Sequence, residues 1–404
     1  MTMWTGRLTA VAKPRLRAAC GALMAVLAAA PVSAQVVGQP LSKWTPGTLD
    51  IHQINTGRGN AALLILPDGT SLLLDAGDGG NPPPRGTPPR PDGSRSPGEW
   101  IARYARAMGV SAFDYGYVTH FHDDHLSAMV DVATRIPIRK MFDRGWPDYR
   151  YPAPDHPELR SPAFLHYREF LAKGTTTAER LQPGRNDQIV LVKDPKTHPQ
   201  FEVRNVAANG EVWTGTGSET RPRFPSLDGV PREDWPTENM CSLAIRLRYG
   251  AFDYFSGGDM PGTPRPGYPA WQDVETPVAR AVGPVDVALL DHHGNRDSTN
   301  AFLVATLRPR VWIIPVWSAD HPGHDVLDRM YSTRLYPGPR DVFATNMLDA
   351  NRLVIGPLLD RLLGAQGHIV VRVAPGGASY QVIVLDDAAE SYAVKSVHGP
   401  YESR

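Results

Sequence analysis

Six consecutive residues, 120–125 (HFHDDH), have the residue types and spacing of a metal site. They follow a predicted strand. Because side chains alternate along an extended segment, His120 and His122 are expected to point the same way. The turn that follows then presents Asp124 and His125 to a neighbouring point. Imidazole and carboxylate groups are the donors that zinc and similar divalent cations prefer. The segment therefore predicts two adjacent cation positions, and the alternative is a solvated loop before a helix.

This segment resembles the signature of the metallo-β-lactamase-fold hydrolases. The similarity covers most of residues 48–385 and is closest to the branch of the competence protein ComEC hydrolase domain and the phosphorylcholine esterases. That branch opens with a strand and a glycine turn and continues with a hairpin ending in D-x-G, here residues 54–61 and 74–77. The resemblance implies an α/β (α+β) chain folded as a four-layer αββα sandwich with two metals at the sheet edges. Acids are usual in that branch where Asn55 and Asn60 stand, so a phosphate- or metal-supporting role of this loop stays open.

The resemblance implies that Asp259 is the carboxylate shared by both metals. Asn239 and Ser242 precede the sequence Gly257-Gly258-Asp259, in the order of the branch's N-x-x-S strand and its terminal G-D. Asp75, at the end of a predicted strand, and Asn239 are expected to orient ligands rather than bind metal themselves. The alternative for Asp259 is a turn residue.

The segment 291–294 (DHHG) resembles the branch's H-H-G. The resemblance implies that either His292 or His293 completes the site of His120 and His122, while the other orients its neighbour. A paired-histidine turn without a ligand is the alternative.

His321-Pro322 resembles the branch's G-H-P, with Asp320 in place of the glycine. By this likeness His321 is the last ligand beside Asp124 and His125. His324 lies three residues further on and is either the ligand in its place or a proton donor near the leaving group.

Together these residues predict an enzyme, a metal-dependent hydrolase with two zinc ions per chain, or manganese in their place. Cations sharing Asp259 would hold a bridging water and lower its pKa toward neutrality, so that hydroxide attacks the substrate; we count Asp124, Asp259 and His324 as catalytic residues. The resemblance favours a phosphodiester. A β-lactam or lactone is the alternative, but those branches typically carry a further histidine before the bridging aspartate, and residues 207–258 contain none. A non-catalytic metal- or ligand-binding domain is the third interpretation.

Composition and charge narrow the partners and the compartment. The chain has 404 residues, 42 basic and 42 acidic, and only two cysteines, which excludes a multi-cysteine zinc site. Residues 1–34 combine four basic residues, a 13-residue apolar run and small residues before Gln35, the pattern of a signal peptide cleaved after Ala34. We therefore predict a periplasmic or secreted protein without a membrane span in the mature form. A small molecule or phosphodiester is the expected substrate; nucleic acid stays open as a partner, although the net charge near −4 does not indicate it.

The elements that must position these residues are predicted as strands with a few helices. Strands are expected near 48–55, 61–66, 71–75 and 113–119, and again from 201 to 385, with helices at 99–108 and 126–134. After an N-terminal extension, 35–47, we expect the hydrolase domain at 48–385 and a tail at 386–404. The aromatic, proline-rich segment 136–200 is interpreted as an insertion that serves as a lid or as a packed surface elaboration.

Overall fold

The computed structural model describes residues 1–6, 34–78 and 86–404. The predicted signal peptide lies outside the described residues over 7–33. Within the described part of the chain, no helix is long and apolar enough to cross a membrane.

Seventeen strands are present in the described residues. In chain order they are β1 (Leu49–Gln53), β2 (Ala61–Ile65), β3 (Ser71–Ala76), β4 (Phe113–Tyr117), β5 (Ile138–Asp143), β6 (Thr177–Arg180), β7 (Phe201–Ala208), β8 (Glu211–Trp213), β9 (Thr220–Pro222), β10 (Ala244–Tyr249), β11 (Phe252–Ser256), β12 (Val287–Leu289), β13 (Val311–Ile314), β14 (Asp341–Ala344), β15 (His368–Val373), β16 (Ser379–Leu385) and β17 (Val394–Glu402).

Eight α-helices accompany them in the same residues. They are α1 (Pro97–Ala107), α2 (Asp123–Leu126), α3 (Met129–Arg135), α4 (Pro162–Ala172), α5 (Glu275–Val282), α6 (Ala301–Leu307), α7 (His324–Tyr331) and α8 (Asp349–Ile355). The longest begin with ordinary caps: Ser96 accepts a hydrogen bond from the Glu99 N–H at the start of α1, and Ser161 does the same for Phe164 in α4.

The strands form two sheets packed face to face. The first has the order β17-β16-β15-β1-β2-β3-β4-β5-β6 and the second the order β14-β13-β12-β11-β10-β7-β8-β9. Apolar residues of both inner faces, such as Leu64 of β2 and Leu247 of β10, form one buried cluster between them. Helices α1, α3 and α4 cover the outer face of the first sheet, and α5 to α8 cover that of the second. The predicted four-layer αββα sandwich is thereby confirmed.

The hairpin β2–β3 shows why the local sequence folds this way. Its strands are nearly continuous apolar runs, AALLI and SLLLDA, and every residue in them is buried. A strand has such a continuous apolar sequence when both of its faces are covered, here by the other sheet and by the helical layer. Asp68-Gly69 makes the turn, where Gly69 has φ +85° and the Thr70 N–H donates to Asp68 Oδ1.

Two segments bear on the predicted domain boundaries. Segment 136–200, predicted as an insertion within the domain, supplies β5 and β6, which continue the first sheet in parallel pairing. The tail at 386–404 contains β17, which pairs antiparallel with β16 as the edge strand of the same sheet. The sheet therefore runs nearly to the end of the chain.

Candidate metal centre

The predicted site residues follow the carboxyl ends of strands in both sheets. Segment 120–125 leads from β4 into α2, and Asp75 lies near the end of β3. In the second sheet Asp259 follows β11, residues 292–293 follow β12 and His321 follows β13. Since β3–β4 and β11–β12–β13 are parallel pairs, these ends meet along one edge of the sandwich. Two sheets thus contribute to one site.

Asp124, His125, Asp259 and His293 converge into the first of two donor groups. His125 Nε2 lies 3.1 Å from Asp259 Oδ1 and 3.2 Å from His293 Nε2. His293 Nε2 lies 3.1 Å from Asp124 Oδ2. We call these four residues the aspartate group.

His120, His122 and Asp259 form the other donor group, called the histidine-pair group below. His120 Nε2 lies 3.1 Å from His122 Nδ1 and 3.7 Å from Asp259 Oδ2. Asp259 Oδ2 is also 3.5 Å from His293 Nε2, so this carboxylate lies between the two groups and belongs to both. A carboxylate in this position can be shared by two cations.

The donor chemistry of both groups fits divalent cations. Tetrahedral donors at the usual zinc distances lie about 3.4 Å apart, within the spread of the distances observed. His125 Nδ1 faces Asp75 Oδ2 at 2.7 Å, and His293 Nδ1 faces the Pro315 carbonyl at 2.9 Å. These acceptors favour a proton on each Nδ1, which leaves both Nε2 lone pairs facing each other beside two carboxylates. Such a buried arrangement needs a positive charge at its centre.

The electrostatics of the aspartate group point the same way. Burial alone would lower the pKa of His293, but the carboxylates of Asp259 and Asp124 outweigh it and raise that pKa to about 9. Burial likewise opposes ionisation of Asp259, yet the charges of His125 and His293 hold the pKa of Asp259 well below its usual range. Without a cation, protons on the two imidazoles balance the carboxylates, and a bound cation would take the place of those protons.

Backbone strain accompanies two of the candidate ligands. His292 and His293 are consecutive non-glycine residues in the left-handed region, with φ of 49° and 57°. Such conformations cost of order 1–3 kcal/mol each and persist where the surrounding structure enforces them. Here the turn directs His293 into the aspartate group, while His292 remains outside it.

Asp75 is held in place from several directions. Its Oδ2 accepts hydrogen bonds from Asn60 Nδ2 at 2.9 Å and Thr119 Oγ1 at 2.8 Å, and its Oδ1 accepts from the Thr119 N–H at 2.8 Å. Gln53 Nε2 in turn donates to Asn60 Oδ1. The glycine-turn loop thus supports Asp75 through Asn60, and Asp75 orients His125.

His292 lies at the margin of the shared carboxylate. Its Nε2 is 3.8 Å from Asp259 Oδ2 and accepts a 3.2 Å hydrogen bond from Asn239 Nδ2. Its Nδ1 lies 2.7 Å from Asp297 Oδ1. Asn239 therefore contacts a predicted ligand, as expected of an orienting residue.

His321 and His324, which were also predicted as site residues, lie outside both donor groups. The ring of His321 stacks on that of His293, with centroids 5.1 Å apart and planes 14° from parallel. His324 begins α7, its side chain is 54% exposed, and its Nδ1 lies 3.2 Å from Asp328 Oδ2. The structure thus brings His293 to Asp124 and His125, where the sequence suggested His321.

A buried ion pair fixes the backbone between His120 and His122. Arg144 Nε and Nη2 donate to both oxygens of Glu238 at 2.8 and 2.7 Å, and both side chains have no solvent exposure. Glu238 Oε1 also accepts from the Phe121 N–H at 2.9 Å. The Arg144 guanidinium lies over the Phe121 ring. Loop 120–125 is therefore anchored to the segment that precedes β10.

A cleft of about 300 Å³ opens beside the two groups. Its lining includes Arg58, His122, Asp124 and Glu158. The Arg58 guanidinium pairs with Asp78 and lies 4.9 Å from the centre of the Trp317 ring, which itself packs against His293. A cation thus faces the cleft next to the candidate metal centre.

The sequence did not identify three residues that surround the candidate metal centre: Arg58, Glu158 and Glu238. Glu238 directly precedes Asn239, so its place next to the N-x-x-S motif was the one available signal. Glu158 lies in the aperiodic segment 136–200 and offered none.

The chain matches no known protein-family model, and no curated protein matches it in sequence. Among solved structures, it is similar to a Parabacteroides distasonis protein described as a metal-dependent hydrolase, at 14% identity over 73% of this chain and 92% of that one, with a TM-score of 0.38.

Two further solved structures are similar over comparable lengths. One is a diphosphatase of the PhnP family, at 12% identity over 73% of this chain and 94% of that one, with a TM-score of 0.34. The other is a metallo-β-lactamase from Cronobacter sakazakii, at 15% identity over 62% and 78% of the respective chains, with a TM-score of 0.32. At these identities, the function of this chain has to be inferred from its own residues.

Proposed function

We propose that this protein is a hydrolase that binds two divalent cations and cleaves phosphodiesters. The observation that carries the proposal is the position of Asp259, whose Oδ1 lies 3.1 Å from His125 Nε2 and whose Oδ2 lies 3.7 Å from His120 Nε2. One buried carboxylate that joins two groups of imidazole and carboxylate donors is suited to a pair of cations about 3.5–4 Å apart.

Two bound cations would supply Lewis-acid chemistry, activating a water molecule and stabilising the charge that develops on the substrate. The chain's own residues hold and orient that pair. Asp259 connects the two groups, and Asp124 contributes the carboxylate nearest the cleft. Asp75 keeps the His125 ring in place, so that its Nε2 faces inward.

Arg58 favours a phosphoryl substrate over a neutral one. Its guanidinium lines the same cleft as His122 and Asp124, and its place is set by Asp78 and the Trp317 ring. A planar guanidinium can donate two parallel hydrogen bonds to a pair of phosphate oxygens. This interaction becomes stronger as negative charge develops on those oxygens. A neutral lactone would make less use of this residue; against a β-lactam, whose carboxylate could also pair with Arg58, the proposal rests on the absence of histidine from residues 207–258.

Zinc is the proposed cation, since imidazole nitrogen and carboxylate oxygen suit it well; manganese is the alternative. We further propose membership of the branch of ComEC-type and phosphorylcholine esterase-like hydrolases, and export by a signal peptide cleaved after Ala34. Amino-terminal sequencing of the protein recovered outside the cytoplasm tests the cleavage position.

Metal analysis combined with a substrate panel tests the function. Purified protein incubated with zinc and dialysed should retain about two equivalents, and it should hydrolyse bis(p-nitrophenyl) phosphate faster than p-nitrophenyl phosphate, nitrocefin or an acyl-homoserine lactone. Retention of no metal would overturn the two-cation proposal. Activity on the lactam or the lactone alone would overturn the phosphodiester assignment, and two bound equivalents with no activity on any of the four substrates would favour a binding domain.

A further inference from the structure

Glu158 lies against the outward nitrogen of a candidate metal ligand. Its Oε1 is 3.3 Å from His122 Nε2, and its Oε2 is 3.1 Å from His156 Nδ1. Glu158 belongs to a short 3-10 turn, Pro157–Arg160, between β5 and α4. A segment 36 residues beyond His122 therefore reaches back to the donor group.

The two nitrogens of His122 face different surroundings. Nδ1 lies 3.1 Å from His120 Nε2, inside the histidine-pair group, whereas Nε2 faces Glu158 in the cleft. An imidazole that donates its Nδ1 lone pair to a cation must carry its proton on Nε2. A carboxylate next to Nε2 stabilises that tautomer and fixes the plane of the ring.

Two other candidate ligands have equivalent supports inside the domain. His125 Nδ1 has Asp75, and His293 Nδ1 has the Pro315 carbonyl, both fully enclosed. His122 differs because its side chain is 32% exposed and its support, Glu158, is itself 26% exposed. The orientation of this one ring thus depends on a surface turn.

We propose that Glu158 is a positioning residue that orients His122 for cation binding and so controls the affinity of the histidine-pair group. This inference rests on the proposed two-cation function. Residues 156–161, which form part of the cleft wall, then affect cation binding at the histidine-pair group. Cation binding at the aspartate group does not depend on them.

Zinc titration of the purified, metal-stripped protein against a chromophoric chelator tests the proposal without measuring activity. The wild type should take up two equivalents. In Glu158→Ala one equivalent should bind about 10- to 100-fold more weakly, the usual cost of removing a ligand's support, while the other keeps its affinity. Glu158→Gln retains an acceptor oxygen for the Nε2–H and should stay within a few-fold of the wild type.

Two comparisons keep the experiment decisive. Glu169→Ala on α4 removes a carboxylate that is 70% exposed and lies 3.7 Å from Lys173, and it should change neither equivalent. Glu158→Asp keeps the charge, withdraws the carboxylate by one methylene and should weaken the same single equivalent, which provides a test if the alanine variant does not fold.

Two equally tight equivalents in both Glu158→Ala and Glu158→Asp would overturn the positioning role and leave the two-cation function standing. Loss of both equivalents together in a folded variant would also overturn it, because the effect would not be confined to one group. Failure of the wild type to bind zinc would instead contradict the proposed function itself.

Discussion

Asp75 Oδ2 lies 2.7 Å from His125 Nδ1, and both side chains are buried to 1% exposure or less. This contact joins the carboxyl end of β3 to the loop that follows the neighbouring parallel strand β4. Because Thr119 and Asn60 also donate to Asp75, the carboxylate has little freedom to move. His125 is consequently presented to the aspartate group in one orientation.

Replacing Asp75 should weaken zinc binding although Asp75 is not in either donor group. Asp75→Asn keeps one acceptor oxygen, but both oxygens of Asp75 accept hydrogen bonds, so the amide N–H group faces a donor in either orientation and the support of the His125 ring is weakened. We expect about a 10- to 100-fold loss of affinity for at least one equivalent in chelator competition. Asp187→Asn, at an exposed pair with Arg185, is the matched control; unchanged zinc affinity in Asp75→Asn would contradict the orienting role.

Asp259→Ala should affect both equivalents, because Asp259 is the one residue that belongs to both donor groups. His293→Ala removes a donor from the aspartate group alone and should affect one equivalent. Equilibrium dialysis followed by metal analysis distinguishes the two patterns. An Asp259→Ala protein that keeps two tight equivalents would show that this carboxylate is not shared.

The sequence prediction succeeded where the determining contacts are local. The spacing within 120–125 already places four donors within six residues, and the apolar runs of β2 and β3 identify strands covered on both faces. The fold class could also be predicted, because the family resemblance that implies it rests on motifs that lie at the ends of strands.

The sequence prediction was less accurate where contacts between distant segments determine which residues come together. Which histidine joins Asp124 and His125 depends on the left-handed turn at 292–293, which is not evident from residue types. The sequence of the edge strand β17, VKSVHGPYE, has no regular alternation of apolar and polar residues, so it does not predict a strand. Glu158 approaches His122 only because the chain returns to loop 120–125 after β5.

Arg58 should contribute to substrate binding and not to metal binding. In Arg58→Ala we expect kcat/KM for bis(p-nitrophenyl) phosphate to fall about 10- to 100-fold, the range for losing a charged hydrogen bond of about 1.5–3 kcal/mol. Arg58→Lys should recover part of this loss, since a single ammonium replaces the paired donors. Both variants should retain two zinc equivalents, and an unchanged kcat/KM in Arg58→Ala would remove the main support for a phosphoryl substrate.

The Arg144–Glu238 pair should be costly to break. Glu238→Gln leaves the Arg144 charge buried at 0% exposure without its counterion, which typically costs about 3–5 kcal/mol. Urea unfolding with metal removed measures the free energy of unfolding. Arg150→Gln, in a pair whose side chains are 79% and 54% exposed, should cost less than about 1 kcal/mol. Equal losses in the two variants would mean that Arg144 gains solvent or another partner.

His368 predicts a pH dependence of stability away from the metal centre. Burial, reinforced by the nearby charges of His52 and Lys395, lowers the pKa of His368 to about 3, and its Nδ1 accepts a 3.0 Å hydrogen bond from the Asn55 N–H. The unfolded chain binds this proton near pH 6.5. The stabilising contribution is therefore complete above about pH 6.5 and declines by about 1.4 kcal/mol per unit as the pH falls toward 3.

His368→Asn should remove most of that decline while keeping an acceptor near the Asn55 N–H. Between pH 7.5 and 5 the wild type should lose about 2 kcal/mol more than the variant, as measured by urea unfolding at each pH. His166→Asn, at an exposed position of α4, controls for the loss of a histidine without the burial. Equal pH slopes in the wild type and His368→Asn would mean that His368 becomes protonated in the folded protein as readily as in the unfolded chain, and that the Asn55 hydrogen bond does not keep Nδ1 free of a proton.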